Sequence, residues 1–402
     1  MIDRSFKNWI INLIRFHIQR HFKIVNKRDK KIWAFSAWEG NKYSDNTKFF
    51  YEYMKKYHPD IRCIWFTNKI NLLNELRKNK NEVYLIGTKE SKEMQLKAGV
   101  AFYTNGVDDF GKKPYIYGAV IVSLWHGVSF KRIYGAERFK KFNNILIPLR
   151  RFKNKFFYWT YRDITCTTSE YMKEKCVEQF YIKNINNVFI TGQPRNDLFQ
   201  FNLNKRNILS DKEIIDSKHI ITFMPTWQSF NNNNEIKKLL NQLDKNINFI
   251  SLLEQHGYKF VIKLHYLSCC NCNYEHLILL NDKDISSSQE LLAVTDILIT
   301  DYSSVFSDFA LLDRPIIFYR PDSLQFISET GQYDEFKNVC SLNLVKNNEQ
   351  LINTITNIIA GNFDYKKQNE IINEYFNDDI KVCGRSSEKI YKIIFEYLNK
   401  TL

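Results

Sequence analysis

Two histidines stand directly after short apolar runs that have the composition of buried strands. His126 follows the run 119–124 and precedes Gly127, and His265 follows the run 259–264. An imidazole titrates near neutrality, so a histidine at a strand end above a cleft is a candidate general base. Gly127 would give close access to the backbone there. A lone histidine is also common as a structural residue, and that interpretation stays open for each site taken alone.

A second pattern places small polar residues after a buried strand. The run 297–300 is followed at once by Asp301, Tyr302, Ser303 and Ser304, and then by a helical pattern. Free backbone N–H groups, hydroxyls and the helix dipole all favour an anion at such a position. The spacing predicts either phosphate binding or an ordinary helix cap, since no glycine-rich cradle accompanies it.

Two other strand-to-loop turns carry polar side chains. Arg195 and Asn196 lie in the first turn, and Thr226 and Trp227 lie in the second. An arginine at such a turn can pair with a phosphate through its planar guanidinium. Lys263 would place a fixed positive charge beside the second strand-end histidine.

Histidines and cysteines are crowded between positions 265 and 276. The pattern is His265-x3-Cys269-Cys270-x-Cys272-x3-His276. It departs from the paired C-x2-C spacing of structural zinc sites. We interpret these as incidental loop cysteines and predict no metal site.

The elements that must position these residues alternate along the chain. In the first half, strands are predicted at 32–37, 62–66, 82–85, 100–103 and 119–124, with helices at 46–57 and 71–78. In the second half, strands are predicted at 219–224, 259–264, 297–300 and 315–319, with helices at 235–255, 287–295 and 304–312. Alternation of this kind is typical of parallel α/β sheets. We expect two doubly wound domains facing each other across a cleft, with ligands at the carboxyl ends of the strands.

Composition limits the class of protein. The chain has 402 residues, 44% of them hydrophobic, which fits two domains with packed cores and excludes global disorder. Eight cysteines are too sparse for a disulfide scaffold and favour a reducing cytoplasm. The net charge of +14 predicts an anionic partner.

The N-terminal segment predicts a membrane contact. Residues 6–23 form an amphipathic helical pattern followed by the basic run 27–31, and no stretch is apolar enough to span a bilayer. Such a helix can lie in the plane of an anionic membrane or pack on the first domain. A second basic run, 131–155, is interleaved with aromatic residues and predicts a lipid or anionic-polymer contact, or a solvated helix face.

Taken in order, the motifs resemble the CDP-glycerol glycerophosphotransferase family, which includes teichoic-acid primases and polymerases and their capsule-synthesis relatives. They are Gly40-Asn-Lys-Tyr-Ser44-Asp45-Asn46, Trp125-His126-Gly127, Gly192-Gln-Pro194-Arg195-Asn196-Asp197, Met224-Pro225-Thr226-Trp227, Lys263-Leu264-His265 and Leu298-Ile-Thr-Asp301-Tyr302-Ser303-Ser304-Val305. The resemblance spans roughly residues 33 to 390. Six ordered motifs are far more specific than any one of them.

The resemblance implies a GT-B fold of two Rossmann-like domains, with the acceptor on the N-terminal domain and the nucleotide on the C-terminal one. It implies transfer of a polyol phosphate from CDP-glycerol or CDP-ribitol to a lipid-linked or polymeric glycan acceptor, with release of CMP and no required cofactor or metal. His126 would be the general base, and His265 would contact the pyrophosphate or stabilise the departing phosphate. The implied substrate-binding residues are Ser303, Ser304, Asp301, Arg195, Lys263, Thr226, Trp227, Gly127 and Asn196.

Departures from the family pattern leave the donated polyol and the acceptor open. Lys263 replaces a common arginine, Gln193 replaces an aromatic or aliphatic residue, and 329–333 lacks an expected arginine. A ribitolphosphotransferase or a nucleotide-sugar glycosyltransferase is the alternative, and no nucleic-acid partner is expected.

We expect an enzyme held at the cytoplasmic face of the membrane as a peripheral protein. Its domains are predicted as a basic helix at 1–31, an acceptor domain at 32–205 and a CDP-donor domain at 206–402. The last helix of the chain can pack back on the acceptor domain.

Overall fold

The computed structural model describes residues 28–129, 162–201, 216–226, 234–264, 274–280, 287–321, 343–377 and 384–400, with a few single positions outside these ranges, among them Ile14 and Ile18. The chain divides into two compact units. The first contains the chain up to Gly127, Ile133–Asp197 and the segment from Gly384 onward, and the second contains Val128–Arg132 and Leu198–Cys383. The predicted basic helix and the run 131–155 lie almost wholly outside the described residues.

Seven parallel strands form the sheet of the first unit. In chain order they are β1 Asp29–Phe35, β2 Arg62–Thr67, β3 Val83–Leu85, β4 Ala98–Tyr103, β5 Val120–Ser123, β6 Ile164–Thr167 and β7 Val188–Ile190. Their order across the sheet is β3-β2-β1-β4-β5-β6-β7. The order reverses between β1 and β4, which is where doubly wound folds bind ligands.

Six parallel strands form the sheet of the second unit. They are β8 His219–Met224, β9 Tyr258–Lys263, β10 Ile278–Leu280, β11 Ile297–Thr300, β12 Ile316–Tyr319 and β13 Leu344–Val345. Their order is β10-β9-β8-β11-β12-β13, with the reversal between β8 and β11. The predicted fold class, two Rossmann-like parallel sheets, is confirmed.

Helices connect the strands of both units. Those in the described part of the chain are α1 Asp45–Tyr57, α2 Ile70–Lys78, α3 Lys89–Lys97, α4 Glu170–Phe180, α5 Asn234–Asp244, α6 Ile247–Gln255, α7 Ser288–Val294, α8 Val305–Phe309, α9 Asn348–Ile359, α10 Lys366–Phe376 and α11 Ser386–Lys400. Side-chain caps start several of them; the hydroxyl of Ser169, for example, accepts from the N–H of Met172 at 3.0 Å. Within the described ranges, no helix is long and apolar enough to cross a membrane.

The first sheet is buried on both faces. Its strands are apolar at nearly every position, and not only at every second one. On β1, Trp33 and Phe35 contribute to one hydrophobic cluster, and Ile32 and Ala34 contribute to the opposite one. Successive side chains of a strand point to opposite faces, so an almost unbroken apolar run must be covered twice.

The last helix, α11, packs on the first unit although it follows the second unit in the chain. Its residues Ile390, Ile394 and Leu398 are buried in the same cluster as Trp33. At its start, the carboxylate of Asp197 accepts from the backbone N–H groups of residues 386 and 387, each at 2.8 Å. The predicted domain limits at 31 and 205 stay predictions.

One predicted helix is wrong in its extent. The pattern 235–255 predicts a single helix, but the structure has α5 and α6 in its place. The side-chain oxygen of Asn246 accepts from the N–H of Phe249 at 3.1 Å, and this cap begins α6 as a new helix. An asparagine gains more by capping than by continuing a helix.

Candidate active site

His126 lies at the carboxyl end of the first sheet, three residues after β5 ends. The neighbouring backbone has unusual angles, with φ of 53° at Trp125 and 133° at Gly127. A tryptophan rarely adopts a positive φ, and such conformations cluster at functional sites. Gly127, a predicted site residue, takes its φ without the steric cost of a side chain.

Two indoles pack against the half-buried imidazole of His126. The ring centres of Trp38 and Trp125 lie 5.2 and 4.1 Å from it. Its Nδ1 is buried and makes no hydrogen bond to a described residue. Burial lowers the pKa of His126 from 6.5 to about 4; the charge of Asp45 opposes this shift, and that of Arg195 adds to it. The imidazole is therefore neutral at pH 7 and able to accept a proton.

A buried ion pair holds the backbone of His126 in place. Nη1 of Arg195 donates to Oδ1 of Asp45 at 2.8 Å and to the carbonyl oxygen of His126 at 2.9 Å. The two side chains are only 8% and 11% exposed. The guanidinium of Arg195 therefore faces Asp45 and the backbone of His126, while its predicted phosphate contact stays a prediction.

Asn46 ties three turns of the site together. Its amide nitrogen donates to the carbonyl of Trp125 at 3.0 Å, and its oxygen accepts from the N–H of Arg195 at 3.2 Å. Asn196, a predicted binding residue, is buried beside this network and is 3% exposed. The end of β5 and the turn after β7 are therefore fixed to the start of α1.

The buried carboxylate of Asp109 holds the turn after β1, which carries Trp38. Asp109 accepts from the N–H of Glu39 at 2.7 Å and from the N–H groups of Thr104 and Asn105 at 2.8 and 3.0 Å. It therefore joins the turn after β1 to the turn after β4, across the point where the strand order reverses. Burial raises the pKa of Asp109 to about 7, and the three N–H groups oppose that rise.

In the second unit, Asp301 plays the equivalent part. Its carboxylate accepts from the N–H of Thr226 at 2.9 and 3.0 Å and from the hydroxyl of Thr226 at 3.0 Å. It also accepts from the N–H of Tyr302. Thr226 follows β8 and Asp301 follows β11, so this contact also crosses the strand reversal. The structure thus brings together two of the predicted binding residues.

Ser303 and Ser304 are half-buried and directly precede α8, as the sequence predicts. The hydroxyl of Ser303 accepts from the N–H of Val305 at 3.5 Å. Beside them, the buried guanidinium of Arg320 donates to the carbonyl of Asp301 at 2.7 Å and lies 4.6 Å from the ring centre of Tyr302. Arg320 thereby supports the turn that carries both serines.

Of the remaining predicted site residues, the structure describes Lys263 but not His265 or Trp227. Lys263 ends β9 and is 6% exposed, and its Nζ donates to the carbonyl of Leu264 at 3.2 Å. His265 and Trp227 lie outside the described residues, as does the cysteine cluster 269–272. In the part of the chain that the structure describes, no three His, Cys, Asp or Glu side chains are placed to hold a metal ion.

The arrangement in the first unit suits removal of a proton from a hydroxyl. A neutral imidazole is fixed by packing and by its own backbone, so little reorganisation is needed when it accepts a proton. The profile of the CDP-Glycerol:Poly(glycerophosphate) glycerophosphotransferase family matches residues 16–396. The chain belongs to this family. The predicted family is confirmed, and with it the predicted class of enzyme, a polyol-phosphate transferase.

The chain is similar over most of its length to several proteins of teichoic acid synthesis. The teichoic acid glycerol-phosphate transferase of Staphylococcus aureus (strain NCTC 8325 / PS 47) is 27% identical over 97% of this chain and 100% of its own length. The teichoic acid poly(ribitol-phosphate) polymerase of Bacillus spizizenii (strain ATCC 23059 / NRRL B-14472 / W23) is 27% identical over 72% of this chain and 46% of its own length. The solved wall teichoic acid polymerase TagF has the same fold, with a TM-score of 0.73 at 20% identity over 99% of this chain and 98% of that one.

Sequence reasoning did not assign a role to several residues of this candidate site. They are Trp38, Asp45, Asn46, Asp109 and Arg320. Asp45 and Asn46 lie in a family motif, which is a usable signal. Asp109 has no signal in the sequence, because its partner Glu39 is 70 positions away.

Proposed function

We propose that the protein transfers glycerol phosphate from CDP-glycerol to a hydroxyl of a teichoic-acid-like or capsular polymer and releases CMP. The observation that carries this proposal is the neutral imidazole of His126, held by packing and by the Asp45–Arg195 pair at the ligand-binding edge of the first sheet. Family membership supports the donor class.

In the proposed step, His126 takes the proton of the acceptor hydroxyl. The acceptor oxygen forms a bond to the β-phosphorus of the donor. The bond between that phosphorus and the bridging oxygen breaks, and CMP leaves with the electron pair. The imidazolium then gives its proton to solvent, so the acceptor gains one polyol phosphate and the enzyme is unchanged.

The second unit would hold the donor. Asp301 and Arg320 fix the turn that carries Ser303 and Ser304, so their hydroxyls are set in place before a pyrophosphate arrives. Donors that are fixed in advance stabilise the charge that develops on the phosphoryl oxygens. We propose the same role for His265 and Lys263, on the basis of the family motif alone.

One assay tests the reaction and its donor. The full chain is incubated with CDP-glycerol or CDP-ribitol and a lipid-linked glycan acceptor, and CMP release is measured. We expect CMP with CDP-glycerol and much less with CDP-ribitol. The reverse preference would make it a ribitolphosphotransferase like the Bacillus spizizenii relative. Absence of CMP with both donors would contradict the proposal.

Paired histidine variants test the base. His126→Asn should lower kcat by about 10² to 10⁴, the usual contribution of general base catalysis. His58→Asn is the matched control, because His58 belongs to the same unit but stacks on Tyr391, with ring centres 3.6 Å apart. Full activity in His126→Asn would remove His126 from the mechanism.

The proposal includes a peripheral position on an anionic membrane. Ile14 and Ile18, one helical turn apart, are 39% and 48% exposed. The double variant Ile14→Glu, Ile18→Glu should lose sedimentation with anionic liposomes, since it puts carboxylates on the lipid-facing side. Ile185→Glu is the control at a 43% exposed isoleucine outside this segment. Equal loss in the control would argue against a specific contact.

A further inference from the structure

The turn after β1 is held in an unusual backbone conformation beside His126. Trp38, Glu39 and Gly40 have successive φ values of 51°, 55° and 75°. Each non-glycine residue in the left-handed region costs about 1–2 kcal/mol. Such a conformation persists only where the surroundings fix it, and it is typical of ligand-contacting segments.

The surroundings of this turn are extensively hydrogen-bonded. The carbonyl of Gly40 accepts from the hydroxyl of Thr67 at 2.8 Å and from the N–H of Asn68 at 2.7 Å. The side-chain amide of Asn68 donates to the carbonyl of Glu39, and Asp109 accepts from the N–H of Glu39. Gly40 has a φ of 75°, and a Cβ there would lie 3.1 Å from the backbone nitrogen of Asn68, so any other residue would be strained at this position. The turn is therefore rigid before any ligand binds.

This rigid turn presents side chains that match one kind of ligand. The half-buried indole of Trp38 stands beside the imidazole, and Nζ of Lys42 lies 6.0 Å from the centre of that indole. An indole face packs against the carbon skeleton of a polyol or sugar, and an ammonium group attracts a phosphate. An apolar platform and a cation thus occur within one short segment, beside the ring of the proposed base.

We propose that the turn 38–42 is the subsite for the hydroxyl-bearing end of an anionic polyol-phosphate chain. The inference rests on the proposed function, which it deepens by naming the residues that hold the acceptor. Trp38 packs on the terminal polyol, Lys42 pairs with the first phosphodiester, and the terminal hydroxyl reaches His126. Asp109 acts as a positioning residue, because it fixes the turn without contacting the acceptor.

Binding without turnover tests the subsite. Calorimetry with the full chain measures the affinity for a short poly(glycerol phosphate) fragment, for a neutral glycan of similar size and for CDP-glycerol. Trp38→Ala should weaken binding of both acceptors by about tenfold, the effect of one good packing contact. Lys42→Ala should weaken only the phosphate-bearing fragment, by about fivefold, and the loss should shrink at high salt. Affinity for CDP-glycerol should not change.

Two controls keep the result interpretable. Lys92→Ala removes a lysine of the same unit whose Nζ lies 5.3 Å from the centre of a different aromatic ring, that of Tyr115. Trp38→Phe keeps an aromatic face if Trp38→Ala fails to fold, and it should retain most of the affinity. Wild-type affinity in both Trp38→Ala and Lys42→Ala, or an equal loss in Lys92→Ala, would overturn the subsite. CMP release by the wild type tests the proposed function separately, so the two failures are distinguishable.

Discussion

The ring of His126 stays neutral because the effect of burial outweighs that of the nearby carboxylate of Asp45. Burial lowers its pKa to about 4, and Asp45 opposes the shift. In the free enzyme, kcat/KM should therefore stay high as the pH falls through 6.5 and decline only near pH 4. In the complex, the negative charge of the bound donor favours the imidazolium, so the decline in kcat should occur at higher pH. The measurement is CMP release from pH 4 to 8.

The same pKa shift sets the sign of a stability change. The folded state binds the proton of His126 less tightly than the unfolded chain does. The stability contributed by the neutral ring is present above pH 6.5 and is lost as the pH falls from 6.5 towards 4. Urea unfolding of His126→Asn should lack this part of the pH dependence. A kcat/KM that already declines with an apparent pKa of 6.5 or above as the pH is lowered would contradict both expectations.

Arg195 serves two acceptors at once through one nitrogen, Nη1. Arg195→Lys keeps the charge but replaces the rigid, planar guanidinium that places Nη1 against Asp45 and the carbonyl of His126 with a flexible ammonium group. We expect a loss of about 1–3 kcal/mol in unfolding free energy, with a fall in kcat because the backbone of His126 loses its support. Urea unfolding and CMP release measure the two effects.

A matched arginine controls this variant. Arg62 makes a two-point contact with Glu82 at 2.9 and 2.7 Å, but it is 50% exposed. Arg62→Lys should cost under about 1 kcal/mol and leave kcat unchanged. Equal losses in the two variants would mean that the burial of the Asp45–Arg195 pair has no special effect.

At the residue scale, the sequence predicted the placement of His126 but not its partners. A histidine after an apolar run can be recognised from the sequence alone, and the predicted strand end at 124 lies one residue beyond the observed end of β5. The pairing of Arg195 with Asp45 joins positions 150 apart. Such a contact depends on the order of strands in the sheet, which apolar periodicity does not determine.

Among the structural elements, the turn after β1 depends on Asp109. Asp109→Asn keeps the shape of the side chain but replaces one acceptor oxygen with a donor that faces a backbone N–H. We expect a loss of about 1–3 kcal/mol in unfolding free energy and a raised acceptor KM. Because burial raises the pKa of Asp109 to about 7, ionising it lowers stability as the pH rises from 3.8 towards 7. Asp109→Asn should remove that slope.

Asp244 provides the control for Asp109. It also accepts from three backbone N–H groups, those of residues 275, 276 and 277, at 2.9, 2.8 and 3.1 Å. It belongs to the second unit, so Asp244→Asn should lower stability without changing the acceptor KM. A raised acceptor KM in that variant would show that any lost carboxylate has the same effect.

Strands with long apolar runs were predicted well, and two of the shortest were missed. Strands β8 and β11 have the predicted limits, because each is a continuous apolar run buried on both faces. β10 and β13 have three and two residues, too few to give a period. The split between α5 and α6 depends on one capping asparagine, which a helical pattern conceals.

At the scale of the whole molecule, α11 makes the first unit depend on residues far along the chain. Ile394 is fully buried against the first sheet, and the adjacent Phe395 is 53% exposed. Ile394→Ala should destabilise the first unit by about 2–5 kcal/mol through the cavity it leaves. Phe395→Ala should have little effect. Hydrogen exchange at the amides of β1 and β4 reports on this unit specifically, and protection that is unchanged in Ile394→Ala would contradict the prediction.

The overall architecture was the most predictable level. Two alternating series of strands and helices predicted two parallel sheets, and the structure has both. The two sheets share one strand order, in which the first strand of each series lies between the second and the fourth. The net charge of +14 predicted an anionic partner but not where it binds. A net charge does not say where on the surface the charges lie. Locating a binding site for an anion therefore required the surroundings of particular lysines and arginines.

The position of α11 also has a consequence for biosynthesis. Translation produces β1–β7 first, then the whole second unit, and only afterwards the helix that covers the apolar face around Trp33. That face has no cover from α11 while roughly the next 190 residues are made, a delay of about 10–40 s at ordinary elongation rates. The first unit therefore completes its folding last, although it is synthesised first.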